Sequence, residues 1–335
     1  MSGGSGSTAV SGSSAAAGNL QAAGPADLRA AGPADEPIDD HCRRAPAEPL
    51  RRYIAWYAGY RQRGLAPARH RGLPSPFLTL IFTLDEPLVM LAHPDPGQPP
   101  GEFATLLGGL HATPALMIHD GAQSGIQLAV RPLGVRALLG LPAGELADID
   151  IPAEAVLGGV CAELRARVAA ATCWPERFAV LDDILLRLIK AGDVSGPPPE
   201  VAWAWRQLLV SGGTSRVSEL AAGTGWSSRH LTSRFRTEIG LTPKAAARVI
   251  RFHRTRRLLV SRFAAEPETR LADLAATCGY FDQAHLAREF RALAGCPPSQ
   301  LLAEFGRAEF GRAEFRNVQA AEATPEGGWT DTEGR

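Results

Sequence analysis

Two short stretches carry side chains suited to gripping a polyanion and to hydrogen-bonding flat heterocycles. The first holds Arg229, Thr232, Ser233 and Arg236, the second Gln283, Ala284, Ala287, Arg288 and Arg291. An arginine fork matches the two acceptors of guanine, a glutamine amide matches adenine, and an alanine offers apolar contact to a thymine methyl. Arg229, Gln283 and Arg288 are therefore the best base-reading candidates. Arg236 and Arg291 lie one turn further from each helix start and suit phosphates. For His230 and His285, which hold equivalent positions, partial burial or a phosphate contact outranks base reading or metal binding.

A duplicated scaffold positions these side chains. Leu220-Ala221-Ala222, Gly225-Trp226, Leu231, Phe235-Arg236, Gly240 and Pro243 recur as Leu274-Ala275-Ala276, Gly279-Tyr280, Leu286, Phe290-Arg291, Gly295 and Pro298. The offset is 54 residues before the turn and 55 after it, so one residue is inserted in the second turn. Each copy reads as helix-turn-helix. Small alanines let two helices cross, a glycine makes the turn, and Leu and Phe four apart turn inward on a second helix. Those second helices are expected from Ser228 to Ile239 and from Gln283 to Leu293, with Gly240 and Gly295 as C-terminal caps. A helix from Lys244 to about Arg262, capped by Thr242 with Pro243 in its first turn, joins the copies. Ala245, Val249, Phe252 and Leu259 share one side of it. Arg256 falls on the same stripe, which predicts that this helix is not buried all round.

The charge pattern agrees with a phosphate-binding face. The 335-residue chain has zero formal net charge. Yet Arg216, Arg229, Arg234, Arg236, Lys244, Arg248, Arg251, Arg254, Arg256, Arg257 and Arg262 are opposed only by Glu219 and Glu238 across that segment. Five cysteines (Cys42, Cys161, Cys173, Cys278 and Cys296) lack CxxC or Cys/His ligand spacing, which argues against a disulfide framework or a zinc site. No apolar run is long enough to cross a membrane, and the Gly/Ser/Ala-rich start lacks the form of a signal peptide.

Ahead of the repeats, residues 1–40 read as a disordered tail. Strands are expected at Tyr53–Tyr57, Phe77–Leu84, Leu88–Leu91, Phe103–Leu107, Ala115–Ile118 and Ser124–Val130. Phe77–Leu84 and Leu88–Leu91 are read as a hairpin over Asp85-Glu86-Pro87, and His119-Asp120-Gly121 as a turn. Helices follow at Val135–Leu139, Ala153–Ala171, Pro175–Lys190 and Glu200–Val210. The third carries an apolar stripe of Phe178, Leu181, Leu185, Leu188 and Ile189. The short strands suggest a small barrel or sandwich, and these helices are expected to pack on it, with a dimer interface as the alternative. Gly192–Pro199 is the clearest linker. At the far end Ala-Glu-Phe occurs three times, and its five-residue period gives no single helix face.

These residues resemble the AraC/XylS transcriptional regulators over about residues 201–302. The carriers are Leu220 to Leu231, Phe235 to Pro243, and above all Ala275-Ala276-Thr277-Cys278-Gly279-Tyr280-Phe281-Asp282-Gln283-Ala284-His285-Leu286-Ala287-Arg288-Glu289-Phe290-Arg291 with Gly295-Cys296-Pro297-Pro298. The resemblance implies two recognition helices entering successive major-groove segments about one DNA turn apart, roughly 34 Å. It places Arg229, Thr232 and Ser233 at base-reading positions of the first unit. Gln283, Ala284, Ala287 and Arg288 take those of the second. Ser233 stands where many members carry Arg. His119-Asp120-Gly121 and the run Pro132 to Gly140 resemble the cupin-like sensory domains of related regulators. A metal-binding cupin would need clustered His and Glu, whereas His70, His93, His111 and His119 are scattered.

The expected fold class is α+β multidomain: an N-terminal β-rich cupin-like barrel with appended helices and a C-terminal all-α tandem helix-turn-helix domain. Its divisions are a disordered tail (1–40), an effector or dimerisation domain (41–192), a Pro-rich linker (193–200), the DNA-binding domain (201–302) and a frayed or disordered tail (303–335). The expected function is a cytoplasmic, sequence-specific transcription regulator, an activator if it follows its family. It would meet double-stranded promoter DNA and RNA polymerase, with a small-molecule effector or a homodimer acting through the β domain. No enzyme activity, cofactor, metal or membrane partner is expected. The alternatives are a constitutive DNA-binding regulator without ligand and an enzyme domain fused to a DNA-binding domain. For the second, no paired Ser/His/Asp, Cys/His pair or phosphate-binding glycine loop is found.

Overall fold

The computed structural model describes residues 1, 37–191, 196–265 and 270–307. Its strands are β1 (Ile38–Arg44), β2 (Ile54–Arg63), β3 (Ala68–Gly72), β4 (Leu78–Thr83), β5 (Leu88–Ala92), β6 (Gly101–Phe103), β7 (Thr105–Gly108), β8 (Ala115–His119), β9 (Gln123–Val130) and β10 (Asp150–Ile151). They form two antiparallel sheets, ordered β1-β2-β9-β4-β7-β10 and β3-β8-β5-β6. Strand alternation divides the core. Leu78, Leu80 and Phe82 of β4 join Ile126, Leu128 and Val130 of β9 in the cluster that also holds the helices. Ile81 and Leu106 turn the other way and meet Met90, Phe103 and Ala115 of the smaller sheet.

Two expected strand assignments change. Phe77–Leu84 and Leu88–Leu91 are not a hairpin, because β4 pairs with β7 and β9 whereas β5 pairs with β6 and β8. The Leu84 N–H donates to Ser124 O at 2.9 Å, and Pro87 has no N–H to give, so the chain leaves one ladder and enters the other. Phe103–Leu107 likewise splits at Ala104, whose carbonyl accepts from both the backbone N–H and the Oγ1 of Thr83. The first strand begins at Ile38, inside the expected tail, and β3, rich in arginine and histidine, had no hydrophobic signal.

The helices are α1 (Val135–Leu139), α2 (Glu154–Leu157), α3 (Gly159–Ala170), α4 (Trp174–Ala191), α5 (Pro199–Val210), α6 (Val217–Thr224), α7 (Ser228–Ile239), α8 (Pro243–Ala265), α9 (Leu271–Thr277), α10 (Gln283–Ala294) and α11 (Pro298–Arg307). The single helix expected over Ala153–Ala171 is broken at Gly158, whose φ of +54° no helix accommodates. The α4 stripe packs on the larger sheet as expected. Tyr57 stacks on Phe178 at 5.8 Å and its hydroxyl donates to Asp182 Oδ1 at 3.1 Å. Burial first, and then the Asp182 charge, push the Tyr57 pKa far up, so the phenol remains a donor. Pro199 ends the linker by opening α5 at a first-turn position, where its missing N–H costs nothing. Linker residues 192–195, tail residues 2–36 and the Ala-Glu-Phe stretch from 308 onward lie outside the described residues.

The described residues from Pro37 onward belong to one compact unit. Arg136 in α1 grips Glu238 in α7, with Nε to Oε2 at 2.8 Å and Nη2 to Oε1 at 3.0 Å. Arg71 in β3 donates to both carboxylate oxygens of Glu304 in α11 and to Ala294 O at the end of α10. At Gly144 the backbone of the 3-10 turn Ala143–Leu146 lies so close to α7 that an added Cβ would stand 2.2 Å from Thr237 O. The β-rich half therefore holds both helix-turn-helix units.

Candidate nucleic-acid interface

Each expected reading helix begins at a matched cap. Ser227 Oγ accepts the His230 N–H at 3.2 Å at the start of α7, and Asp282 Oδ1 accepts the His285 N–H at 2.6 Å at the start of α10. Gly225 and Gly279 make the turns with φ of +70° and +76°. Gly240 and Gly295 cap the far ends in the left-handed region, as the sequence predicts. Leu231, Phe235, Leu286 and Phe290 are fully buried. Phe235 meets Trp205 at 6.1 Å and Phe290 meets Phe252 edge-on at 4.9 Å, anchoring each helix to its neighbours.

The helix α8 is the frame between the units. Arg251 donates from Nη2 to Gly213 O at 3.1 Å, ahead of α6, and from Nη1 to Gly279 O at 3.3 Å, in the second turn. Arg248 Nε reaches the Glu289 carboxylate on α10 at 2.9 Å. One helix thus ties the first unit to the turn and to α10 of the second. As expected, α8 is not buried all round, since Lys244 and Arg254 are exposed, but Arg256 itself is 5% exposed and lies on the covered side. Val249, Ile250, Phe252, Thr255 and Leu259 are buried with it, because α8 is covered by both units and by the β-rich half. Phe77, just before that half's β4, meets His253 edge-on at 6.0 Å. The basic excess is consequently divided. Arg216, Arg229, Arg234, Arg236, Lys244 and Arg254 are exposed, while Arg248 and Arg251 serve internal bonds.

Arg229, Thr232, Ser233 and Arg236 line one depression with Ser228, Thr237, Thr242 and Gly144. Arg229, Ser233 and Arg236 are exposed and Thr232 is half-buried. The Thr232 hydroxyl donates to Ser228 O at 2.7 Å, so it presents only its lone pairs and methyl to an incoming molecule. On α10, Gln283, Ala284, Arg288 and Arg291 are exposed and Ala287 is half-buried. His230 lies edge-on to Trp226 at 4.6 Å and His285 to Tyr280 at 5.4 Å. His285 Nδ1 accepts the Phe281 N–H at 3.3 Å. Asp282, Phe281, Arg248 and Arg251 were not singled out from the sequence. Asp282 was findable, three residues before the helix position it caps; the arginines had merged into the basic excess.

In the β-rich half, His70 and His119 are not scattered but stacked at 4.6 Å, because β3–β8 pairing puts both on one face. Burial first, then His119, lowers the His70 pKa to about 4, and burial also lowers that of His119. His93 is buried elsewhere, with Nδ1 2.8 Å from Asp150 Oδ2. Among the described residues no group of three or more His, Cys, Asp or Glu is placed to hold a metal ion, and no helix is long and apolar enough to cross a membrane.

Residues 220–304 match a family model described as a helix-turn-helix domain, and residues 43–152 match one described as a domain of unknown function (DUF6597). No curated protein matches the chain. Among solved structures, ToxT from Vibrio cholerae is 11% identical, covering 74% of this chain and 97% of its own, with a TM-score of 0.44. ToxT with a bound unsaturated fatty acid is 10% identical, covering 77% and 96%, with a TM-score of 0.43. The C-terminal domain of AraT, a response regulator from Geobacillus stearothermophilus, is 22% identical, covering 32% and 88%, with a TM-score of 0.29.

Proposed function

We propose that this chain, whose residues 220–304 match a helix-turn-helix domain model, is a sequence-specific transcription regulator of the AraC type that reads double-stranded promoter DNA with α7 and α10. The observation that carries this reading is the pair of capped, inwardly anchored helices fixed to α8 by Arg251 and Arg248. Arg229, Thr232 and Ser233 read one major-groove segment; Gln283, Ala284, Ala287 and Arg288 read the next. Arg236 and Arg291 hold phosphates. The protein works in the cytoplasm, and RNA polymerase is its partner at the promoter. A small effector or a second copy of the chain acts through the β-rich half. The Arg136–Glu238 and Arg71–Glu304 pairs supply the coupling, since each joins that half to a different reading unit.

Interference footprinting tests the reading. Modified guanines and phosphates that block binding should fall in two successive major-groove segments on one face of the duplex. A single segment, or none, would defeat it. A regulator needing no ligand is the second reading, favoured by the side chains of Ile81, Met90, Phe103, Leu106 and Ala115 that fill space between the sheets. Thermal stabilisation of the full chain by any member of a metabolite panel would end that second reading.

A further inference from the structure

The residue inserted in the turn of the second copy can be identified. Trp226 and Tyr280 correspond at an offset of 54, whereas the caps Ser227 and Asp282 correspond at 55. The extra residue is Phe281. It is 93% exposed, and the other exposed large apolar residues among those described (Met1, Ile38 and Val210) are not aromatic. A lone exposed apolar side chain is ordinary on a protein surface. Three features set this one apart.

It stands immediately before the cap of a reading helix, next to exposed Asp282, Gln283 and Ala284. The N-terminal end of such a helix is the part that meets base edges in the major groove. Its backbone is held at both sides: the Phe281 N–H donates to His285 Nδ1, and the next residue, Asp282, caps the His285 N–H. His285 is itself packed on Tyr280. The ring is therefore displayed by an ordered turn. Finally, the first unit has no corresponding residue, so the insertion gives the second reading helix something that the first lacks.

We infer that Phe281 is a specificity-determining residue that contacts the C5-methyl of a thymine at the edge of the second major-groove segment. This inference rests on the DNA-binding reading. The thymine methyl is the one apolar group a base edge offers in the major groove, and phenylalanine is among the side chains that meet it. Ala284 and Ala287 extend the same apolar character along α10. The second unit thereby reads through Gln283, Arg288 and a small apolar surface, while the first reads through Arg229, Thr232 and Ser233.

Uracil scanning provides the test. In a duplex selected by the full chain, each thymine is replaced singly by uracil, which removes only the methyl, and affinities are measured for wild type and F281A. One uracil in the second segment should weaken wild-type binding roughly fourfold, the worth of one buried methyl. F281A should be indifferent at that position and retain the wild-type profile at all others. F281A keeping the full wild-type thymine profile would overturn the inference. If that variant also lost transcription with purified RNA polymerase, Phe281 would instead be a polymerase contact. Failure of the wild-type chain to select any duplex would overturn the DNA-binding reading and this inference together, an outcome distinct from an unchanged profile. Circular dichroism should show F281A folded as wild type, since the side chain buries almost nothing.

Discussion

Replacing Arg136 with alanine leaves the Glu238 carboxylate without its partner at the C-terminal turn of α7. The guanidinium holds it through two hydrogen bonds, and the Glu238 side chain is 3% exposed while that of Arg136 is 27% exposed. Removing one partner of a buried ion pair costs about 3–5 kcal/mol. Water can enter where the half-buried arginine stood and solvate part of the charge, so about 2–3 kcal/mol is expected for R136A. Glu238→Gln removes the charge in place, and R136A/E238Q should recover at least about 1 kcal/mol of that loss as coupling between contacting residues. The assay is urea unfolding of wild type, both single variants and the double variant, followed by tryptophan fluorescence. The same four proteins are then titrated with a selected duplex. A loss below about 0.5 kcal/mol in R136A, or strict additivity in the double variant, would refute the pair as a working link between the two halves.

Arg288→Ala should cost on the order of 1–3 kcal/mol in specific binding and relax one base position; equal weakening on random DNA would make it a phosphate contact. Arg236→Ala and Arg291→Ala should each weaken binding evenly across sequences and lower the slope of log affinity against log salt by about 1. Arg251→Leu removes the donors to Gly213 O and Gly279 O, so binding to duplexes with one base pair added or removed between the segments should be penalised less than in wild type. For pH, His70 titrates at about 4 in the folded chain against 6.5 ordinarily. The unfolded chain therefore takes up a proton that the fold refuses. Stability is fully present above pH 6.5 and falls towards pH 4, by at most about 3 kcal/mol from this group. Half-buried His253, whose pKa is lowered by desolvation and then by Arg256, adds in the same direction. His70→Leu should flatten the urea midpoint across this window, and an unchanged slope would contradict the assignment.

The helical half was legible because its signals are local. Gly225, Gly240, Gly279 and Gly295 each need positive φ, and Leu231, Phe235, Leu286 and Phe290 repeat at helical spacing. The boundaries of α7 follow directly from them. The β-rich half was legible only as a class. Strands β4 and β5, and likewise β6 and β7, follow each other within a few residues yet belong to different sheets, and pairing partners are distant in sequence. The His70–His119 stack was hidden for the same reason. That α8 has an open side was legible, but it falls at Lys244 and Arg254 and not at Arg256, which is buried. The extra residue of the second turn was countable from the repeat, but its exposure depends on Asp282 taking the cap and pushing Phe281 outward.

In the proposed function one chain reads an asymmetric site with two unlike helices on one rigid frame. Selection of bound duplexes from a random pool by the full-length protein tests it most directly. The expected result is a non-palindromic consensus of two unlike segments centred about 10 base pairs apart, the second including a preferred thymine. Enrichment of a single segment, of two identical segments in inverted order, or of no sequence at all would contradict it.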